Sequence, residues 1–257
     1  MRPVYRGPVP AYQGSRGSYA QVSEEYGFYM KSLIQRLGEY CSYCEVPLGA
    51  NLAVEHIISK SSAPQYETTW NNFVLACPNC NSTKSDNVTV SNINDYYWPS
   101  DTSYDTFSKY TYAKDLNGYV VLTPVDTRAT NTIALMGLNK YNTADNGKLS
   151  DRRVFNRTST WNAAEDLAAK LDAYYIGAGA DNLPPVILLK RQIKLAAVAS
   201  GFWSVWMTVF GARTFYDTTT KNDLLCELFV QTFPGTNYPI GICPDNVPSS
   251  YHGGLPV

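Results

Sequence analysis

The chain has 257 residues, of which 44% are hydrophobic and 17% charged, with a formal net charge of -1. That composition suits a folded protein of one or two domains with a sizeable core, and it excludes an overall positive field of the kind that draws in nucleic acid. No N-terminal secretory pattern is visible, and the longest apolar stretch, Leu195 to Phe210, is short for a membrane span and holds Ser200, Gly201 and Ser204, so a cytoplasmic protein with reduced thiols and no membrane contact is expected.

Residues 1–19 are rich in Gly, Pro and Arg and read as an extended arm. Arg2, Arg6 and Arg16 within it either touch phosphate or a partner, or pack along the protein surface. Gln21 to Leu37 places Tyr26, Met30, Leu33, Ile34 and Leu37 at helical spacing, which predicts a helix with these residues in the core. A β-prone segment, Leu52 to Ile58, follows. After a loop come Trp70, Asn71 and Asn72, an apolar strand-like run from Phe73 to Ala76, and a helix starting at Pro78 or Asn81. The order is strand, loop, strand, helix. The stretch after Asp95 reads as a loop and then a hairpin turning at Asn117-Gly118. Helices are expected near Asn131–Gly137, Lys148–Arg157, Trp161–Tyr175, Pro185–Phe210 and Lys221–Gln231, with Pro184 and Pro185 suited to a helix start. The fold class is α+β: an arm (1–19), a ββα-containing head (20–100) and a mainly helical C-terminal region (101–257).

Four of the six cysteines form two pairs, Cys41-x-x-Cys44 and Cys77-x-x-Cys80, one at each side of the two strands. Paired spacing of this kind reads as a metal site. Two knuckles together make a closed tetrahedral cage of thiolates, the chemistry of structural Zn²⁺. Cys226 and Cys243 sit alone and read as small core residues. The chain has only two histidines. His252 lies in the C-terminal "SSYHGGLPV" and reads as tail. His56 stands beside Glu55 on the first strand.

The knuckles, Glu55-His56, Asn72 before the second strand and "CNSTK" opening the helix form a set whose order resembles the HNH endonucleases of the zinc-ribbon type, over roughly Cys41 to Asn87. Glu55 departs from the pattern, since Asp is common there. The resemblance implies that His56 is the general base for attack of water on a phosphodiester, a task suited to imidazole. It implies that Glu55 and Asn81 are ligands to a catalytic Mg²⁺ or Mn²⁺, which hard oxygen donors favour. It implies that Asn72 braces the loop carrying the base; a strand-start turn residue is the other reading, and the two are compatible. Lys84, three residues after Asn81, either contacts a phosphate or is a solvated lysine. Neighbouring strand residues point to opposite faces, so a bend or twist at Glu55 or His56 must bring both to one cleft.

From Cys41 to Asp95 there are two lysines against five carboxylates. A nuclease that grips duplex DNA alone normally neutralises several phosphates. Two basic clusters on expected helices, Arg152, Arg153 and Arg157, then Lys190, Arg191 and Lys194, are candidates to line a substrate groove; solvated faces are the commoner outcome. A protein partner that supplies DNA affinity is the other route. The head, the N-terminal "RGPVP" and the helical tail are similar to nuclease subunits of bacterial anti-phage systems such as Septu, which work beside an ATPase. The leading expectation is a metal-dependent endonuclease acting on nucleic acid, DNA before RNA. The alternatives are a zinc-ribbon binding module without catalysis and an interaction protein whose helical region matters most.

Overall fold

The computed structural model describes residues 1–10, 26–141, 151–174, 182–213 and 218–237, with backbone alone at 26 and 218–220 and in two short paired strands, β1 (Tyr12–Gln13) and β2 (Tyr19–Ala20). Arg16, the first residues of the Gln21–Leu37 pattern, Cys243 and His252 lie outside the described residues. A 3-10 turn, Tyr26–Tyr29, runs into α1 (Met30–Leu37), which buries Leu33 and Leu37.

The head is built on β3 (Ala53–His56) and β4 (Phe73–Ala76), antiparallel, with Glu55 opposite Val74 and His56 opposite Phe73. All four residues of β4 are buried, which its unbroken apolar run requires. Helix α2 (Pro78–Lys84) follows at once. Pro78 fits the first turn, where no N–H is needed, and the Cys77 sulfur caps it by accepting from the Cys80 N–H at 3.4 Å. The ββα unit therefore lies where the sequence placed it. The hairpin is also present, as β5 (Tyr110–Lys114) and β6 (Val120–Pro124), and Gly118 supplies the positive φ of its turn at 79°. Helix α3 (Thr127–Met136) begins at Asp126, whose carboxylate accepts from the Ala129 N–H at 2.8 Å.

Two helix expectations are corrected. The expected pair over 148–157 and 161–175 is one helix, α4 (Arg153–Tyr174). A single inward stripe of Arg157, Thr160, Ala164, Ala168 and Leu171 spans both patterns, so burial continues across the join. Conversely, Pro185–Phe210 is two helices, α5 (Pro184–Ser200) and α6 (Trp203–Gly211). The chain breaks at Gly201 and Phe202, with φ of 70° and 52°. A Cβ at Gly201 would sit 2.4 Å from the Glu45 carbonyl oxygen, so only glycine lets the break press against the first knuckle. The Phe202 N–H donates to that same carbonyl at 3.0 Å. Helix α7 (Thr218–Leu225) continues into a π turn, Cys226–Val230. Cys226 is buried there, in line with its reading as a small core residue, and is disulfide-bonded, which corrects the expectation of reduced thiols at this position.

One apolar cluster joins head, hairpin and C-terminal helices, from Met1 to Phe233. The first residues of the arm enter it, with Met1 and Val4 buried, while Tyr5 and Val9 are exposed. Arg2 is buried and donates to the carbonyls of Leu37 and Pro234. Glu45, beside the first knuckle, accepts from the Arg2 N–H at 2.8 Å and from the Ser204 N–H and Oγ at 2.8 and 2.6 Å. Among the described residues no helix is long and apolar enough to cross a membrane.

Candidate metal centre and catalytic cleft

The first knuckle is a tight turn. The Cys41 N–H donates to Val46 O, the Glu45 N–H returns to Cys41 O, and Glu45 adopts φ 68°. The Ser42 N–H donates to Leu75 O at 2.8 Å, which fastens this turn to β4. The second knuckle is the β4–α2 junction itself. The four sulfurs of Cys41, Cys44, Cys77 and Cys80 consequently meet within 4.8 Å of one another, all buried. Cys44 and Cys77 sulfurs are 3.6 Å apart. A tetrahedron with Zn–S bonds of about 2.3 Å has edges of about 3.8 Å. Burial pushes the Cys44 and Cys80 thiols well up, while hydrogen bonds from Cys41, Cys44 and Cys80 hold Cys77 far down. Four such sulfurs ionise together only around a cation. The donor set, its closure and its spacing fit Zn²⁺.

Arg153 reaches this cage from α4. Its Nη1 donates to Cys80 Sγ at 3.0 Å and to Met136 O at 2.7 Å; Nη2 donates to Gly137 O at 3.1 Å and Asp151 at 2.6 Å, and Nε to Asp151 at 2.9 Å. Asn79, inside the second knuckle, donates to the same Asp151. Every guanidinium donor is thus used inside the protein, and the expectation of Arg153 at a substrate groove is corrected. It is a cation beside a thiolate cluster. Arg157 is likewise buried, donating to Val120 O and Leu138 O at 2.9 and 2.6 Å. The register of α4 carries the signal: residues 153 and 157 fall on the stripe of Ala164 and Ala168. Arg152, one residue off that stripe, is exposed. Lys190 and Lys194, one helical turn apart, both reach Glu227, each at 3.0 Å. None of these cations lines the cleft described next.

That cleft, of about 360 Å³, lies between β3 and α2 and is lined by Glu55, His56, Asn81 and Lys84, among others. Glu55 and His56 share it although they are neighbours on a strand. His56 is the last residue of β3, and beyond it the Ile58 N–H leaves the backbone ladder to donate to Asn72 Oδ1 at 2.8 Å. The His56 ring meets Phe73 edge-on, centroids 5.1 Å apart. Its Nε2 lies 2.8 Å from Glu67 O. A carbonyl only accepts, so Nε2 carries the proton and Nδ1 is the basic nitrogen. Burial lowers the His56 pKa below 6.5 against the opposing pull of the Glu67 carbonyl, which keeps the ring neutral at pH 7.

Asn72 is 6% exposed and stands outside the cleft. Its Nδ2 donates to Ile58 O at 3.0 Å and Tyr66 O at 3.2 Å. With Oδ1 on Ile58 it bridges the two ends of the loop after His56. Lys84 is only 1% exposed, which corrects its reading as a solvated lysine. Its Nζ pairs with Glu55 Oε1 at 3.0 Å and donates to Ser85 O. Burial raises the Glu55 pKa and Lys84 pulls it back. One carboxylate oxygen is engaged by Lys84, and Oε2 remains, with the Asn81 amide, as a hard donor on the cleft.

The chain matches no curated protein and no solved structure. Residues 41–87 match the family model described as HNH endonuclease, and the four-cysteine cage within them fits the zinc-ribbon type of that module.

Proposed function

We propose that the protein is a metal-dependent endonuclease that hydrolyses phosphodiester bonds, with DNA as its preferred substrate. The observation that carries this reading is the cleft of the HNH module, where His56 has Nδ1 as its basic nitrogen beside the oxygen donors of Glu55 and Asn81. His56 takes a proton from the attacking water at Nδ1 and holds its own ring through Nε2–H on Glu67 O. Glu55 and Asn81 hold a Mg²⁺ or Mn²⁺, which supplies charge stabilisation for the scissile phosphate and leaving oxygen. Lys84 offsets the Glu55 charge and lies on the same wall. Asn72 positions the base through the loop. The inactive-module reading gives no reason for a general base and two hard donors to share one cleft.

The two lysines between Cys41 and Asp95 are both ion-paired, Lys60 with Glu67 and Lys84 with Glu55. This supports a protein partner, such as an ATPase of an anti-phage defence complex, as the source of DNA affinity. The test is incubation of the purified protein with supercoiled plasmid, linear DNA and RNA, in Mg²⁺, Mn²⁺ or EDTA. Cleavage of DNA in either metal and none in EDTA is the expected result. Metal-independent cleavage, or none with any substrate and metal, contradicts it.

A further inference from the structure

A second cavity, of about 600 Å³, lies across residues 57–60 from the catalytic cleft. Ile57 and Ile58, directly after His56, form part of its wall, with Asn72 beneath. Arg6 of the N-terminal arm lines it. One Arg6 nitrogen donates to Phe73 O at 2.7 Å, and burial lowers its pKa to about 10. Asp101, across the cavity, is felt electrostatically yet forms no ion pair with it. Among the described residues this partly buried guanidinium has one side-chain hydrogen bond and no carboxylate on it, which leaves N–H groups for an anion in the cavity. Tyr5 and Tyr66 offer ring surface on the same cavity, and Asn71 offers an amide. The volume is that of a pocket for a small organic ligand, roughly 300–1,000 Å³.

We propose that this cavity binds one nucleotide unit, its phosphate on Arg6, its base against Tyr5 and Tyr66 and its polar edges towards Asn71 and Asp101. An arginine for the phosphate and aromatic faces for the base are how single nucleotides are held irrespective of pairing. The unit comes either from a free nucleotide or from an unpaired nucleotide flanking the cut site. The second source rests on the nuclease reading above; the pocket itself does not. Occupancy is coupled to the cleft by the loop it touches. Tyr66 lines the cavity and its carbonyl accepts from Asn72, while the next residue, Glu67, supplies the carbonyl that holds His56. A ligand on Tyr66 therefore orders the element that orients the base.

The test is calorimetry in EDTA on the His56→Ala protein, where nothing is cut. Titrants are the four deoxynucleoside monophosphates, a short single-stranded oligodeoxynucleotide and inorganic phosphate. Saturable binding of the monophosphates or the oligonucleotide is expected, tighter than phosphate alone. Arg6→Gln should weaken it by about tenfold or more, as loss of a charge-assisted contact does. Tyr66→Ala, in the loop and away from β4, should weaken the same binding with zinc content unchanged, which covers the case of an Arg6 variant that fails to fold. Monophosphates that bind and are displaced by the oligonucleotide place the unit on a strand; monophosphates that bind without such competition make it a free nucleotide. No saturable binding by either ligand, or binding indifferent to both substitutions, overturns the pocket. Absence of cleavage by the wild-type protein bears on the nuclease reading and leaves the calorimetry unaffected.

Discussion

Replacing Arg153 by methionine is expected to loosen the metal cage while leaving the catalytic cleft untouched. The side chain is 3% exposed and makes an ion pair of 2.6 Å with Asp151. Methionine keeps much of the volume but removes every donor. Cys80 Sγ and Met136 O lose the guanidinium donor, Gly137 O keeps the Lys140 N–H, and among the described residues Asp151 keeps a charge supported by Asn79 and the residue-153 backbone N–H. Breaking a buried pair from one side costs about 3–5 kcal/mol. For a chain of this size each kcal/mol lowers Tm by about 2–4 °C, so a fall of roughly 6–20 °C is expected. Loss of a partner outside the ligand shell typically costs about 10–100-fold in metal affinity. The assay is competition with a chromophoric zinc chelator, alongside thermal unfolding. Arg152→Ala, one residue away and exposed, is the control and should change neither. If Arg153→Met releases zinc at the wild-type rate and melts at the wild-type temperature, the reasoning about the cage is wrong.

Cys41→Ser or Cys80→Ser should abolish zinc binding and unfold the head, because metal-site free energy is folding energy in such modules; elemental analysis with circular dichroism checks this, and a folded head without zinc would refute it. Asn72→Ala should cost about 1–3 kcal/mol through the Ile58 N–H and carbonyl left unpaired and should slow cleavage at normal zinc stoichiometry; unchanged kinetics would remove Asn72 as a positioning residue. The His56 pKa lies below its usual 6.5, so the active neutral form persists on acidification past that value. Cleavage should therefore rise with pH through a limb below 6.5 and be level from there to neutral pH; a limb centred above 7 would contradict that assignment.

The cysteine spacing and the two strands around Glu55-His56 were readable because each is local. A C-x-x-C turn needs four residues, and β4 is apolar throughout because both its faces are covered. The arginine and lysine clusters were not readable as charge alone. Arg153 and Arg157 face inward because α4 is one helix whose buried stripe starts at residue 153, and a pattern cut at Thr158 hides that register. Lys84 sits on the second turn of a short helix facing β3, where the Glu55 carboxylate draws it in. The break at Gly201 depends on the Glu45 carbonyl, more than 150 residues away in sequence, which no local pattern reports. The proton position on His56 likewise depends on a backbone carbonyl, Glu67 O, which leaves no mark in side-chain identity.

The most direct measurement compares wild-type protein and His56→Ala for conversion of supercoiled plasmid in Mg²⁺ or Mn²⁺, with zinc content and melting temperature followed in parallel. Loss of a general base costs about 10²–10⁴-fold. The expected result is metal-dependent cleavage by the wild type, a loss of that size in the variant, and the same zinc stoichiometry in both. Cleavage by His56→Ala at the wild-type rate would contradict the account.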